Sequence, residues 1–392
     1  MAVASPDIAL AIEVICALLT LAGLVYLTMA LLGARSFVRH WRGRTQAAVD
    51  TPTISILKPM KGMDAGMVAA LESQCAQQYA GRFEIIFGVS SMDDPAVAEI
   101  ESLRAKFPAV PMRTIHCTER LGASGKVSNL VQMLPHALGE VIVVNDSDIR
   151  VSPYYLAHIA AGLSGGAGMV TMPYIGHCAE PPTLWAKLEA LGIATEFFPS
   201  VLTARMLERG IHFALGSTLA MRREALEKIG GFVSIVDYLA DDYELGARIA
   251  TAGYRVELYP EVVETSIPRY RFLAFWAHQM RWFRAVRVSR PGGFLGLITT
   301  LAVPWALATC IASGAALWSF TLLSLALLAR VAVALTVGVG ILRDGQVLRD
   351  IWLLPLRDFA SLTLWLGSYA SDVIEWRGER FKLRKGKMVR VD

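Results

Sequence analysis

Charge is scarce in this chain. Asp, Glu, Lys and Arg make up only 18% of its 392 residues, against 54% hydrophobic, so a membrane component is expected before any motif is read. Cysteine is scarce as well: Cys16, Cys75, Cys117, Cys178 and Cys310 are scattered without a Cys-x-x-Cys pair. That spacing argues against a zinc site or a disulfide framework and fits core thiols in a reducing compartment. Two nucleotide-binding fingerprints are missing. The GASGK run at 122–126 has Arg120 and Val127 where a P-loop needs glycine and Ser/Thr. Glycines 162, 165, 166 and 168 lack the GxGxxG spacing and precede a strand pattern, which excludes a dinucleotide fingerprint. Internal repeats and low-complexity tracts are absent too. The formal charge of +4 is small, and the basic residues gather at Arg35 to Arg44, Arg281 to Arg290 and Arg377 to Arg390, each beside an apolar segment. Such clusters suit anionic lipid headgroups better than nucleic acid.

What is present begins with an apolar run at 8–32, interrupted by Glu13 and long enough to cross a hydrocarbon core of about 30 Å. Asp7 at its start and the basic cluster behind it speak for an anchor over residues 1–34, not a cleaved signal peptide. Arg35, Arg39, Arg42 and Arg44 then put the following residues in the cytoplasm. From 50 to 268 short β-rich runs alternate with helical stretches, the pattern of one α/β domain with a mostly parallel sheet. Strands are predicted at 53–57, 83–89, 112–117, 141–145, 169–174 and 255–259, and helices at 67–78, 95–107, 126–134 and 154–163. Residues 269–290 carry six arginines, several aromatics and no acid. They predict an amphipathic helix in the membrane interface, with a basic surface helix as the alternative. Residues 291–371 supply further apolar segments, and the last of them, 351–370, contains Arg357 and Asp358. Charges at that depth must either be neutralised inside a helix bundle or belong to a re-entrant segment. The basic tail at 372–392 would prefer the cytoplasm, which favours re-entry.

Four acidic or basic sites carry the chemistry. The run VIVVNDSD at 141–148 is a buried-strand pattern ending in Asp-x-Asp. At the carboxyl end of a parallel strand, Asp146 and Asp148 can reach a hard cation such as Mg²⁺ or Mn²⁺ that also binds a diphosphate; a polar turn closing the strand is the alternative. A second apolar strand, FEIIFGV, runs into SSMDDP, where Asp93 or Asp94 can bind a base or ribose, or cap the next helix. The third is ADDYE at 240–244, where Asp242 is the candidate general base and an acidic first helical turn is the other reading. The fourth is HQMRW at 278–282: Arg281 can neutralise a departing diphosphate and Trp282 can wall the acceptor side, or the pair can anchor headgroups.

The ordered set DDP, DSD, DDY and HQMRW, between an N-terminal span and C-terminal apolar segments, resembles the ceramide glucosyltransferase family and the related hopanoid-biosynthesis glycosyltransferases of bacteria. The resemblance extends over ILKPMKG at 56–62, KVSNL at 126–130, GSTLAMRR at 216–223 and IEWRGERFKLR at 374–384. It implies a GT-A fold, Rossmann-like with a mostly parallel sheet, and an inverting transfer in which a lipid hydroxyl displaces a nucleotide diphosphate. By position, Asp242, Arg281 and Trp282 are then catalytic, Asp93, Asp94, Lys126, Asp146 and His278 bind the donor, and Asp146 and Asp148 take the metal. His278 stands where the family motif has glutamine or arginine, and Asp241 where glutamate often precedes the base. The run RVSRPGG after the Arg-Trp pair resembles the bacterial branch and implies N-acetylglucosamine passed from UDP to a hydroxylated hopanoid in a bacterial inner membrane. Ceramide with UDP-glucose is the close alternative. A processive polysaccharide synthase shares the acidic motifs but needs more spans for a polymer channel. A receptor that binds nucleotide-sugars without turnover would leave Asp242 unexplained.

Overall fold

The computed structural model describes residues 6–43, 50–376 and 378–391, so Arg44 and Arg377 of the basic clusters lie outside the described residues. The chain divides into two units, each assembled from separate stretches. One comprises Met1–Arg42, Pro182–Leu207 and Tyr270–Asp372; the other comprises Gly43–Pro181, Glu208–Arg269 and Val373–Asp392.

The second unit carries the strands. In chain order they are β1 Ile54–Met60, β2 Phe83–Val89, β3 Met112–His116, β4 Val141–Val144, β5 Ile149–Arg150, β6 Ala167–Thr171, β7 Tyr174–Cys178, β8 Leu219–Arg222, β9 Arg255–Leu258, β10 Val263–Ile267, β11 Val373–Trp376, β12 Glu379–Arg384 and β13 Lys387–Arg390. A seven-stranded sheet has the order β3-β2-β1-β4-β8-β6-β9, parallel throughout except for β8, which runs antiparallel to β4 and β6. The α/β architecture with a mostly parallel sheet, expected from the alternating pattern, is therefore present, as is the GT-A-like arrangement that the resemblance implies.

β2 and β4 are buried on both faces, which is why β4 reads as a continuous apolar run and β2 as one broken only by Glu84. Ile54, Ile56, Ile85, Phe87, Val141 and Val143 pack with Leu156 and Ile159 of the helix Tyr155–Leu163. Each such side chain contributes about 1.5–3 kcal/mol by leaving water. The strand predicted at 169–174 is broken by Pro173: β6 ends at Thr171, and β7 begins at Tyr174 in a separate sheet with β5 and β10. At four residues, β8 is too short to announce itself by periodicity.

The first unit is helical. Among the described residues, two helices, Asp7–Arg42 and Leu317–Ile341, are long and apolar enough to cross a membrane, and the pair Pro291–Thr300 and Ala302–Ala312 passes the same test as one span bent by 51°. Close backbone approach needs small residues here: a Cβ on Gly23 would come 2.7 Å from Ala302, and one on Gly33 2.8 Å from the Leu202 carbonyl oxygen. The charges that made 351–370 costly have partners. Arg330 pairs with Asp358 at 2.9 Å and donates to the Thr195 carbonyl. Arg357 pairs with Glu196 at 2.9 Å and donates to Gln279, while Ser361 donates to Glu196. Neutralisation among packed helices is thus the solution adopted for Arg357 and Asp358. Two of these partners, Thr195 and Glu196, sit in a π-helical turn, Ile193–Phe197, that joins the helices Leu184–Gly192 and Phe198–Leu207.

Candidate active site

Parallel strands deliver their carboxyl ends to one edge of a sheet, and β1 leaves the sheet between β2 and β4. This order brings the first two acidic motifs to a common edge. After β2, Asp94 caps the helix Pro95–Lys106 by accepting from the Ala96 N–H at 2.9 Å, and both its oxygens also accept from the Gly62 N–H beyond β1. Asp94 therefore ties two strand exits together, while Asp93 stays exposed. After β4, the chain turns through Asn145 to Asp146, Ser147 and Asp148. Lys58, fully buried in β1, donates from Nζ to the Asp146 carbonyl at 2.9 Å, and Ser147 donates to Asp64 at 2.7 Å. The Asp148 carboxylate accepts from Thr265 Oγ1 at 2.6 Å and from the Ser266 N–H.

Lys126, in the first turn of the helix Gly125–Met133, joins the Asp-x-Asp motif to ADDYE. Its Nζ lies 2.9 Å from Asp146 Oδ1 and 3.1 Å from Asp241 Oδ2. Burial works against its charge, but Asp146 and Asp241 outweigh burial and move its pKa upward. Asp242 opens the helix Asp241–Thr251 and accepts from the Tyr243 N–H at 2.7 Å. Burial, then the neighbouring Asp241 charge, lifts its pKa to about 6. That is a carboxylate poised to take a proton near neutrality. A side chain at Gly216 would meet it, since a Cβ there would stand 3.1 Å from Asp242 Oδ2. One unit thus holds Asp93, Asp94, Lys126, Asp146, Asp148 and Asp242.

His278, Arg281 and Trp282 lie in the other unit, on the helix Phe272–Ser289. The His278 ring contacts Trp282 with centroids 4.8 Å apart, and its Nδ1 lies 3.2 Å from buried Glu189 and 3.1 Å from the Tyr270 hydroxyl. Glu189 also accepts from Gln279. Arg281 and Trp282 are half-buried. Exposed Phe272 and Leu273 open this helix, and Phe275, Gln279, Met280 and Phe283 are buried.

Two of these participants have no role assigned by the sequence motifs. Lys58 is one, although a lysine inside an otherwise buried strand is a signal in its own right. Burial lowers its pKa to about 7 against the pull of Asp148 and Asp146. Asp241, partner of Lys126, is the other; only the tertiary contact distinguishes it from the other acids of ADDYE.

Among the described residues, no group of three or more His, Cys, Asp or Glu is placed to hold a metal ion. Asp146 and Asp148 nonetheless fit one of the magnesium type, which takes one or two carboxylates and completes its shell with substrate phosphates and water. Burial and then the Asp146 charge raise the Asp148 pKa, so the pair repels itself and a cation would relieve it.

The sequence from 15 to 389 matches the family model described as glycosyl transferase family 21. The chain belongs to that family. It is 24% identical over 359 residues to ceramide glucosyltransferase 1 of Caenorhabditis elegans, an alignment covering 87% of this chain and 73% of that protein. Similarity to the β-monoglucosyldiacylglycerol synthase of Trichormus variabilis is 25% over 253 residues, covering 62% of this chain and half of the synthase. The mannosyltransferase PcManGT from Pyrobaculum calidifontis, solved in complex with GDP-Man and Mn2+, superposes with a TM-score of 0.51 at 20% identity, covering 91% of this chain and 99% of its own. That likeness is one of fold. The chain is a glycosyltransferase of family 21, similar in sequence to ceramide glucosyltransferases.

Proposed function

We propose that this family 21 enzyme passes a single sugar, with inversion, from a UDP-sugar to the hydroxyl of a membrane lipid. The observation that carries the reading is the Lys126 bridge: one ammonium joins the Asp-x-Asp strand end to the loop that presents Asp242. Asp93, exposed beside the capping residue Asp94, faces the nucleoside end of the donor. Asp146 and Asp148 would hold Mg²⁺ or Mn²⁺, which when bound offsets the charge of the donor diphosphate. Asp242 takes the proton of the lipid hydroxyl as its oxygen bonds to the anomeric carbon and the bond to the diphosphate breaks. Arg281 neutralises the departing diphosphate, Trp282 walls the acceptor, and His278, steadied by Glu189, donates to a donor oxygen in place of the usual glutamine or arginine.

Two acceptors compete. RVSRPGG at 287–293 favours a hydroxylated hopanoid with UDP-N-acetylglucosamine. The similarity to a ceramide glucosyltransferase spans 87% of the chain and outweighs seven residues, so ceramide with UDP-glucose is the preferred pair. The helices long enough to span support an integral membrane enzyme, and Arg35, Arg39 and Arg42 after the first of them favour a site on the cytosolic side, as in a bacterial inner membrane. The test incubates detergent-purified enzyme and Mg²⁺ or Mn²⁺ with both donors and with ceramide or bacteriohopanetetrol, and reads lipids by mass spectrometry. Ceramide carrying one hexose supports the preferred pair, whereas a hopanoid carrying one N-acetylhexosamine moves the substrate to the bacterial branch. A polymer, or no glycolipid with any combination, sinks the proposal.

A base with its pKa near 6 makes a pH prediction. The base works ionised, so kcat/KM should be flat above about pH 7 and fall about tenfold per unit well below pH 6. An acid limb centred near 4 instead would remove Asp242 from the role.

A further inference from the structure

The last strands of the chain do something the function above does not use. β11, β12 and β13 form an antiparallel three-stranded sheet, with Ile374, Phe381, Leu383 and Met388 buried on it. This sheet grips two loops that lead into the site. The Arg120 guanidinium forks onto Glu379 of β12, with contacts of 2.9 and 2.7 Å to its two oxygens, and donates to the Ala123 carbonyl. Met388 N–H donates to the Asp237 carbonyl at 2.7 Å, and Leu239 N–H donates to the Gly386 carbonyl. Two cations lie over the Tyr238 ring, Arg248 at 5.2 Å and Lys387 of β13 at 5.4 Å from its centre.

The two loops are also stitched to each other. Asp237 Oδ1 accepts from the Ala123 N–H at 3.0 Å, and Ser124 N–H donates to the Val236 carbonyl at 2.9 Å. Their approach is so close that a Cβ on Gly122 would fall 2.6 Å from Val236. One loop, 120–124, ends at the helix bearing Lys126; the other, 236–240, ends at Asp241 and Asp242. Both therefore arrive at the Lys126–Asp241 pair from a common anchor.

We propose that the C-terminal sheet is a clamp that sets where Lys126 and Asp242 stand, with Arg120, Glu379 and Asp237 as positioning residues. The inference rests on Asp242 being the base. It is more than general stabilisation, because the Arg120 and Glu379 side chains are 45% and 26% exposed. A pair this accessible to water adds little to folding. A base displaced by about 1 Å can lose about a hundredfold in rate.

The experiment measures lipid glycosylation, thermal unfolding and amide hydrogen exchange in the full-length, detergent-purified protein carrying R120Q, E379Q, the swap R120E/E379R, D237A or D237N. R120Q and E379Q should lower kcat about ten- to a hundredfold with donor KM and Tm nearly unchanged. The swap should recover part of that loss, since it restores the ion pair but not the donation to the Ala123 carbonyl. D237N keeps the oxygen that Ala123 uses and should stay active, whereas D237A should not. Exchange at 121–126 and 237–242 should quicken in E379Q and D237A and stay unchanged elsewhere. Unaltered exchange in those segments, or a kcat loss that follows Tm and resists the swap, overturns the clamp. Exchange that responds as expected in a protein whose wild type glycosylates no lipid overturns the function and not the clamp.

Discussion

Asp242→Asn is expected to abolish lipid glycosylation while leaving donor binding close to wild type. The substitution keeps the shape of the side chain and an oxygen for the Tyr243 N–H, so the start of the helix Asp241–Thr251 is preserved. What it removes is the acceptor of the hydroxyl proton. A positioned general base is worth about 10²–10⁴ in rate, and kcat should fall by that factor. Nucleotide-sugar affinity, measured by calorimetry or by thermal shift with UDP-sugar, should hold, because the base acts on the lipid and not on the donor. The asparagine also relieves the mutual repulsion with Asp241, the second cause of the raised pKa, so the variant should fold at least as stably as the parent. Retained transfer, or loss of donor binding with a native Tm, would remove Asp242 from its assigned role.

The second large effect lies in the helical unit. Asp358→Ala leaves the Arg330 guanidinium, only 6% exposed, without its carboxylate partner and dependent on the Thr195 carbonyl and hydroxyl. Breaking a buried pair by removing one member costs about 3–5 kcal/mol, much more than the pair contributes over an apolar substitute. The double variant Arg330→Met with Asp358→Leu should therefore recover most of the loss. Unfolding in detergent, followed by tryptophan fluorescence or by exposure of the buried thiols Cys16 and Cys310, would measure both. A single variant as stable as the parent would mean that Arg330 finds water or another acceptor among these helices.

How legible each feature was follows from the range of the interactions that make it. β4 and, but for Glu84, β2 announced themselves because strands buried on both faces must be largely apolar, a constraint local to each run. The same locality exposed the acidic strand ends and the long apolar helices. β8 escaped because four residues flanked by polar ones carry no period, and its antiparallel direction depends on the strands beside it. The alternating pattern includes residues 182–207 in the run of strands and helices from 50 to 268. They group with the helical unit, where Thr195 and Glu196 meet charges more than a hundred positions away.

By itself the amino-acid sequence determined the α/β class, the helices long enough to span a membrane, the four motifs and the family, because each is written in short runs with strong chemical bias. Only the tertiary structure decided that Lys126 bridges Asp146 and Asp241, that buried Lys58 supports the Asp-x-Asp turn, and that Asp94 spends its oxygens on Gly62 and Ala96 while Asp93 stays exposed. It likewise turned a basic tail into a sheet gripping the loops before Lys126 and Asp242. The reason is physical: a carboxylate's pKa, partners and reach are set by groups brought within about 4–6 Å by folding, and separation along the chain carries no record of that distance.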